Sequence, residues 1–334
     1  MSSLGGDVAT VSIYGAGQLG SAVAAGLRER ASHSVAGPYA RVDRELALNS
    51  RADVVLIATT TRFKDVVDDI RTAVNAGSNV LVSAEECAYP WAVDKELADE
   101  LHQLAKKKRV SIAGAGLNPG LIFDALVVTL LGPTPSGFNH DGSPRTTVVV
   151  RRTVNIAGFG AQVLRRIGVG VTEEEFKQKV ARSEILGHAG FPQSMSVVAD
   201  ALGIEIQQID KELLPVITQD SIDLPDRFII DPGQSAGVNQ TYTAIAKGKP
   251  WFTSHFFGHV DLTGIGRVAQ DEIEISIDQQ VHQTISLNPG IGAQVGSQNM
   301  VINSIERIIQ AEPGWVTVAE MAPAYARGKK NSSR

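Results

Sequence analysis

The feature that most constrains this chain is Gly15-Ala16-Gly17-Gln18-Leu19-Gly20, which stands between a short β-branched run at 9–14 and a helical pattern at 18–30. In a strand-to-helix turn of this kind the first glycine permits a tight reversal and the second lets backbone N–H groups approach a pyrophosphate. The third allows the helix to lie close on the strand. The helix N-terminus adds partial positive charge where phosphates would sit. The motif therefore predicts a βα unit that holds a dinucleotide through Gly15, Gly17, Gln18, Leu19 and Gly20.

The following stretch repeats that unit. Apolar runs at 53–58, 79–83 and 109–113, with a weaker one at 33–37, alternate with helical patterns at 62–76 and 91–108. Short runs of this kind suit strands buried on both faces, so the expected fold class is α/β, a Rossmann-type doubly wound parallel sheet. Thr59 and Thr60 end the third strand and are candidate cofactor contacts, or caps of the next helix. At 132–144 the composition changes abruptly to GPTPSGFNHDGSP, which reads as a linker or surface loop. Strand-like segments follow at 145–156, 226–231, 239–246, 251–261 and 271–286, with helices near 172–181 and 193–202. They predict a second α+β domain on a mostly antiparallel sheet. A helical pattern at 293–310 is read as a return to the first domain. The expected domains are thus 1–132, completed by 293–334, for the dinucleotide, and 133–292 for substrate and oligomerisation.

Composition removes several classes of function. A net charge of −5 over 334 residues argues against a polyanion-binding surface, so no nucleic-acid partner is expected. No apolar run approaches the roughly 20 residues that span a bilayer, so no membrane partner is expected either. The start, Met1 to Asp7, lacks the basic and apolar parts of a leader, and the single cysteine, Cys87, has no internal partner. These point to a cytoplasmic protein. His255, His259 and His282 show no ligand-like clustering, so no metal is expected.

An acidic residue about 20 positions after the glycines accepts the ribose hydroxyls of NAD in this type of site. Here the stretch reads Val35-Ala36-Gly37-Pro38-Tyr39-Ala40-Arg41. Arg41 is suited to pair with the 2′-phosphate of NADP and Tyr39 to stack, so NADP is expected in preference to NAD.

Several blocks, in order along nearly the whole chain, resemble the 2,4-diaminopentanoate dehydrogenase family, which includes native NAD(P)-dependent amine dehydrogenases and shares its N-terminal fold with dihydrodipicolinate reductase. They are 82–91 (VSAEECAYPW), 114–120 (GAGLNPG), 166–170 (RIGVG), 186–192 (LGHAGFP) and 313–317 (PGWVT). The resemblance implies reversible oxidative deamination of a primary amine, or reductive amination of a ketone or aldehyde with ammonia, and a homodimer is expected. The chain departs from the family at Asn155 and Phe159-Gly160, where an Asp and an Arg pair are common. It departs again at Gly292-Ala293-Gln294, in place of His-Gly-Asp, and at Tyr39, in place of an Asp.

That reaction needs a base beside the nicotinamide to take the ammonium proton and later activate water. Glu85 and Glu86 follow the fourth strand on the edge where ligands of open α/β sheets bind. Alternation lets one of them face the cleft, and Glu86 is favoured because its distance to Asn118 matches the family's spacing. Asn118 is a candidate for the nicotinamide carboxamide or the substrate nitrogen, and His188 and Phe159 for the substrate pocket. With Phe159 in place of cationic partners, a simple ketone or aldehyde and its amine are expected over an α-keto acid or diamino acid. Two alternatives stay open: a 2,4-diaminopentanoate-type amino acid dehydrogenase, and a non-catalytic NADP-binding sensor.

Overall fold

The computed structural model describes residues 8–135, 137–225 and 227–326, and the expectations touching 1–7, Ser136, Asp226 and 327–334 lie outside them. The chain forms two compact units, one of Met1–Leu126, Ser196–Val198 and Gln294–Arg334, the other of Val127–Met195 and Ala199–Ala293.

The first unit runs β1 (Thr10–Tyr14), α1 (Gln18–Arg30), β2 (Ser34–Tyr39), α2 (Arg44–Leu48), β3 (Val54–Ile57), α3 (Val67–Ala76), β4 (Asn79–Val82), α4 (Lys95–Lys108) and β5 (Ser111–Gly114). A late two-residue strand, Gly314–Trp315, pairs with β5. All neighbours are parallel, and from the edge formed by Gly314–Trp315 the order is β5, β4, β3, β1, β2. The order reverses beside β1, so the sheet is doubly wound, and the carboxyl ends of its strands form the ligand edge. On one face Val11, Ile13 and Leu56 are buried with Leu27 of α1 and Ile302 and Ile305 of the helix Ala293–Ile309. On the other, Val55, Ile57 and Val80 are buried with Leu48, Ile70 and Leu101 of α2, α3 and α4. The helix read at 62–76 begins only at Val67, because 62–66 forms a turn around the fully buried Phe63.

The second unit is built on β6 (Thr146–Asn155), β7 (Gln208–Ile217), β10 (Ser235–Ala246), β11 (Lys249–His259), β12 (Gln270–Ile277) and β13 (Gln280–Leu287), with a separate hairpin of β8 (Ile222–Leu224) and β9 (Phe228–Ile230). The sheet order is β13-β12-β6-β11-β10-β7, antiparallel throughout except for β6 beside β11. Two elements differ from the sequence reading. The segment read as one strand at 271–286 is a hairpin, turned by Asp278 and Gln279 at φ 49° and 66°. β7 carries charge at Asp210, Lys211 and Glu212 and a proline at Pro215, as an edge strand can.

Alternation along these strands puts Val148, Val150, Arg152 and Val154 of β6 on the covered face. Register then aligns Gln240, Phe256, Arg152 and Asp271 in one row across four strands. Arg152 and Asp271 are both nearly inaccessible and form an ion pair. The second carboxylate oxygen accepts the Ile291 N–H at 2.8 Å and the guanidinium donates to the Ile291 carbonyl at 2.7 Å. Such a pair adds little against an apolar replacement, yet removing one partner strands a buried charge. Asp271→Ala is expected to lower the unfolding free energy by about 3–5 kcal/mol in urea titrations, and Arg152→Met with Asp271→Leu to recover most of that loss.

Candidate active site

Gly15 takes φ 123°, and a Cβ there would meet the Ala58 carbonyl oxygen at 2.2 Å. A Cβ on Gly20 would fall 1.9 Å from the Gly15 carbonyl oxygen, so α1 lies as close to β1 as backbone allows. Gly17 is different, since nothing stands within 4 Å of its Cβ position. It caps α1 with no side-chain hydrogen bond, and the first turn of that helix holds no acid. The N–H groups of Gln18 and Leu19 therefore open on free space beside a positive dipole end, a cradle that fits a pyrophosphate.

At the end of β2 the Tyr39 carbonyl accepts the Gly15 N–H at 3.0 Å, which ties this strand to the turn, while the Tyr39 ring is half-buried against the core. Arg41 follows in a short 3-10 turn, exposed and without an ion pair among the described residues. Arg44 is committed to Asp69 at 2.6 Å and to Glu45. Thr59 is exposed, and Thr60 bonds locally, to Asp65 and to the Arg62 N–H.

Glu85 and Glu86 share one 3-10 turn, Glu85–Ala88, after β4. Glu85 lines a cavity of about 100 Å³ with Leu19, Ser83, Gly116, Asn118 and Ser297 among its walls. The Glu86 carboxylate instead accepts the Phe63 N–H at 2.7 Å. Both amide atoms of Asn118 are buried without a hydrogen-bond partner among the described residues. A carboxamide left unmatched in a cavity wall fits a ligand that offers both a donor and an acceptor, as a nicotinamide amide does. Ser297 had no signal in the sequence, because it arrives from a helix about 180 residues further along the chain.

In the second unit His188 sits between Gly187 and Gly190, both at positive φ. The buried Gln240 accepts the His188 N–H at 2.8 Å and donates to its carbonyl at 3.0 Å, and a Cβ on Gly187 would meet that amide at 2.6 Å. The His188 ring packs on Phe256 and Phe191, centroids 4.9 and 5.4 Å away. Its Nδ1 lies 2.7 Å from the Ala189 carbonyl, which can only accept, so Nδ1 carries the proton and Nε2 is an acceptor. Phe159 is half-buried in the loop after β6, its N–H bonded to the Ile156 carbonyl. Arg151 bonds Glu272 and Glu274, Arg152 is consumed by Asp271, and Arg165 lies over the Phe228 ring. Among the described residues no group of three or more His, Cys, Asp or Glu is placed to hold a metal ion, and no helix is long and apolar enough to cross a membrane.

A reversed parallel sheet with an open glycine cradle beside a cavity that holds Glu85 and Asn118 is the arrangement of a dinucleotide-binding protein. Residues 121–332 match the model of the 2,4-diaminopentanoate dehydrogenase C-terminal domain. The chain is 31% identical over 271 residues to the 2,4-diaminopentanoate dehydrogenase of Acetoanaerobium sticklandii, covering 81% of this chain and 74% of that one. Among solved structures, an amine dehydrogenase from Mycobacterium smegmatis shares the fold with a TM-score of 0.77 at 21% identity, over 96% of this chain and 98% of that one. A probable dehydrogenase from Thermotoga maritima gives 0.52 at 11% identity, over 93% and 92%. The chain belongs to the 2,4-diaminopentanoate dehydrogenase family, and it is a nicotinamide-dependent dehydrogenase acting on amines.

Burial, reinforced by the nearby Arg152 charge, pushes the His188 imidazole down to about 4. The unfolded chain takes up this proton near pH 6.5 and the folded one only near pH 4, so stability is full above 6.5 and is lost as pH falls toward 4. Urea unfolding at pH 7 and at pH 5 is expected to show that loss, and His188→Phe to reduce it.

Proposed function

We propose that the protein is an NADP-dependent amine dehydrogenase that interconverts a primary amine with a ketone or aldehyde and ammonia, with Glu85 as its acid–base group. The observation that carries this reading is Glu85 in the wall of one cavity with Leu19 of the glycine turn and the unmatched Asn118 amide. The sequence preference for Glu86 is not kept, because its carboxylate already accepts the Phe63 N–H.

In the direction of deamination Glu85 takes a proton from the ammonium, and the neutral amine loses hydride from its carbon to become an iminium. The cofactor, when bound, supplies the hydride acceptor, and Gly17, Gln18 and Leu19 hold its pyrophosphate. Asn118 orients the nicotinamide amide or the substrate nitrogen. Glu85 gives up its proton to bulk and then deprotonates the water that attacks the iminium, giving a carbinolamine; it returns that proton to the carbinolamine nitrogen, and the C–N bond breaks as the hydroxyl loses its proton, releasing ketone and ammonia. Exposed Arg41 makes no ion pair among the described residues and supports NADP, since a guanidinium suits a 2′-phosphate.

The substrate reading rests on the second unit. His188 presents a neutral acceptor, Phe159 an aromatic surface, and Arg151 and Arg152 already carry acidic partners. Taken one by one, these side chains offer a carboxylate no uncommitted cation, which disfavours an α-keto acid or a diamino acid. The reading includes a cytoplasmic setting and a homodimer, for which the half-buried face carrying Val149, Thr253, His255 and Phe257 is the candidate surface.

Glu85→Gln is expected to lower kcat by roughly 100-fold or more with NADPH affinity retained. Cyclohexanone or a short aldehyde with ammonium and NADPH is expected to turn over faster than 2-amino-4-oxopentanoate. A clear preference for the amino acid restores the diaminopentanoate-type activity, and tight NADPH binding without any turnover indicates a sensor. Arg41→Asp is expected to weaken NADP far more than NAD, and a wild-type preference for NAD defeats the cofactor reading.

A further inference from the structure

Glu86 touches no wall of the cavity, yet it is bonded twice to the loop that follows β3. Its carboxylate accepts the Phe63 N–H at 2.7 Å, and its own N–H donates to the Thr61 carbonyl at 3.4 Å. Phe63 is fully buried, its ring set edge-on to Trp315 with centroids 5.6 Å apart. The Trp315 indole N–H in turn donates to the Cys87 carbonyl at 3.3 Å, inside the same 3-10 turn as Glu85. The turn at 85–88 is therefore held on one side by the loop at 61–63 and on the other by Trp315. That loop directly continues Thr59 and Thr60 at the ligand edge of the sheet.

We propose that Glu86 is a positioning residue: it locks the 85–88 turn onto the loop after β3 and so fixes where the Glu85 carboxylate stands relative to the glycine cradle. The inference rests on the reading of Glu85 as the acid–base group. Proton transfer requires heavy atoms about 2.6–3.2 Å apart, and a displacement of about 1 Å can cost roughly 100-fold in rate. A small rotation of a four-residue turn is enough to produce one. What the lock needs from residue 86 is an oxygen acceptor at the right reach, and it does not need a titrating group.

Two substitutions separate reach from charge. Glu86→Gln keeps the length and a carbonyl oxygen for the Phe63 N–H, while Glu86→Asp keeps the charge and falls about 1.5 Å short. At saturating NADP the Gln variant is expected to hold kcat within about fivefold of wild type and to retain the acid limb of its rate–pH profile. The Asp variant is expected to lose tenfold or more in kcat, with NADPH affinity and the unfolding midpoint near the wild-type values. Asp equal to or faster than Gln overturns the proposal, as do loss of the acid limb in Glu86→Gln and wild-type rates in both. Glu85→Gln is measured alongside. Full activity there defeats the assignment of the base itself, whatever the order at position 86, and an inactive Glu85→Gln with the wrong order at 86 defeats the positioning role alone.

Discussion

Everything on the ligand edge of the first unit depends on how closely α1 approaches β1. Gly20 sits where any side-chain carbon would overlap the Gly15 carbonyl oxygen, at 1.9 Å. That contact sets the height of the helix over the strand, and with it the direction of the N–H groups at 18 and 19. The Tyr39 carbonyl bonded to the Gly15 N–H and the Ala58 carbonyl against Gly15 fix the same turn from the neighbouring strands. A polar cradle thus emerges from an excluded-volume constraint, and its electrostatics follow from the geometry.

The second constraint lies in the turn after β4. Successive residues of a 3-10 turn diverge by roughly 120°, so neighbouring glutamates serve opposite ends of the same structure. One carboxylate joins the cavity wall, and the other completes a backbone hydrogen bond to the buried Phe63. Cys87, which follows them, is fully buried, and this burial with the adjacent carboxylates pushes its thiol well up and leaves it unreactive. An acidic pair here is not a duplicated function.

Much of this was legible in the sequence because it follows local rules. The glycine spacing, the short apolar runs of β1, β3, β4 and β5, and the covered-face alternation of β6 each reflect a burial requirement that residue order alone expresses. What was illegible lacks such a requirement. β7 is an edge strand wet along much of its length, so its pattern carries little signal. The turn at Asp278 and Gln279 reaches positive φ without glycine. Glu85 and Glu86 are chemically identical, and expecting strand-like alternation leaves open which of them turns inward. Gln240 and Ser297 act only through partners some 50 to 180 residues away, which no local pattern records.

The late arrival of Gly314–Trp315 and of the helix Ala293–Ile309 has a consequence for biosynthesis. The outermost strand partner of β5 and half the covering of one sheet face are encoded after the whole second unit. As the chain leaves the ribosome, the nucleotide-binding sheet waits through well over a hundred residues with Ile13, Leu56 and Leu81 only partly covered. The second unit, contiguous from residue 127 apart from a short helical excursion, has its full sheet available earlier. Despite its position in the gene, the N-terminal unit is the one that must be finished last, and a ribosome that stops short of Trp315 releases a chain in which the 85–88 turn has lost its indole anchor.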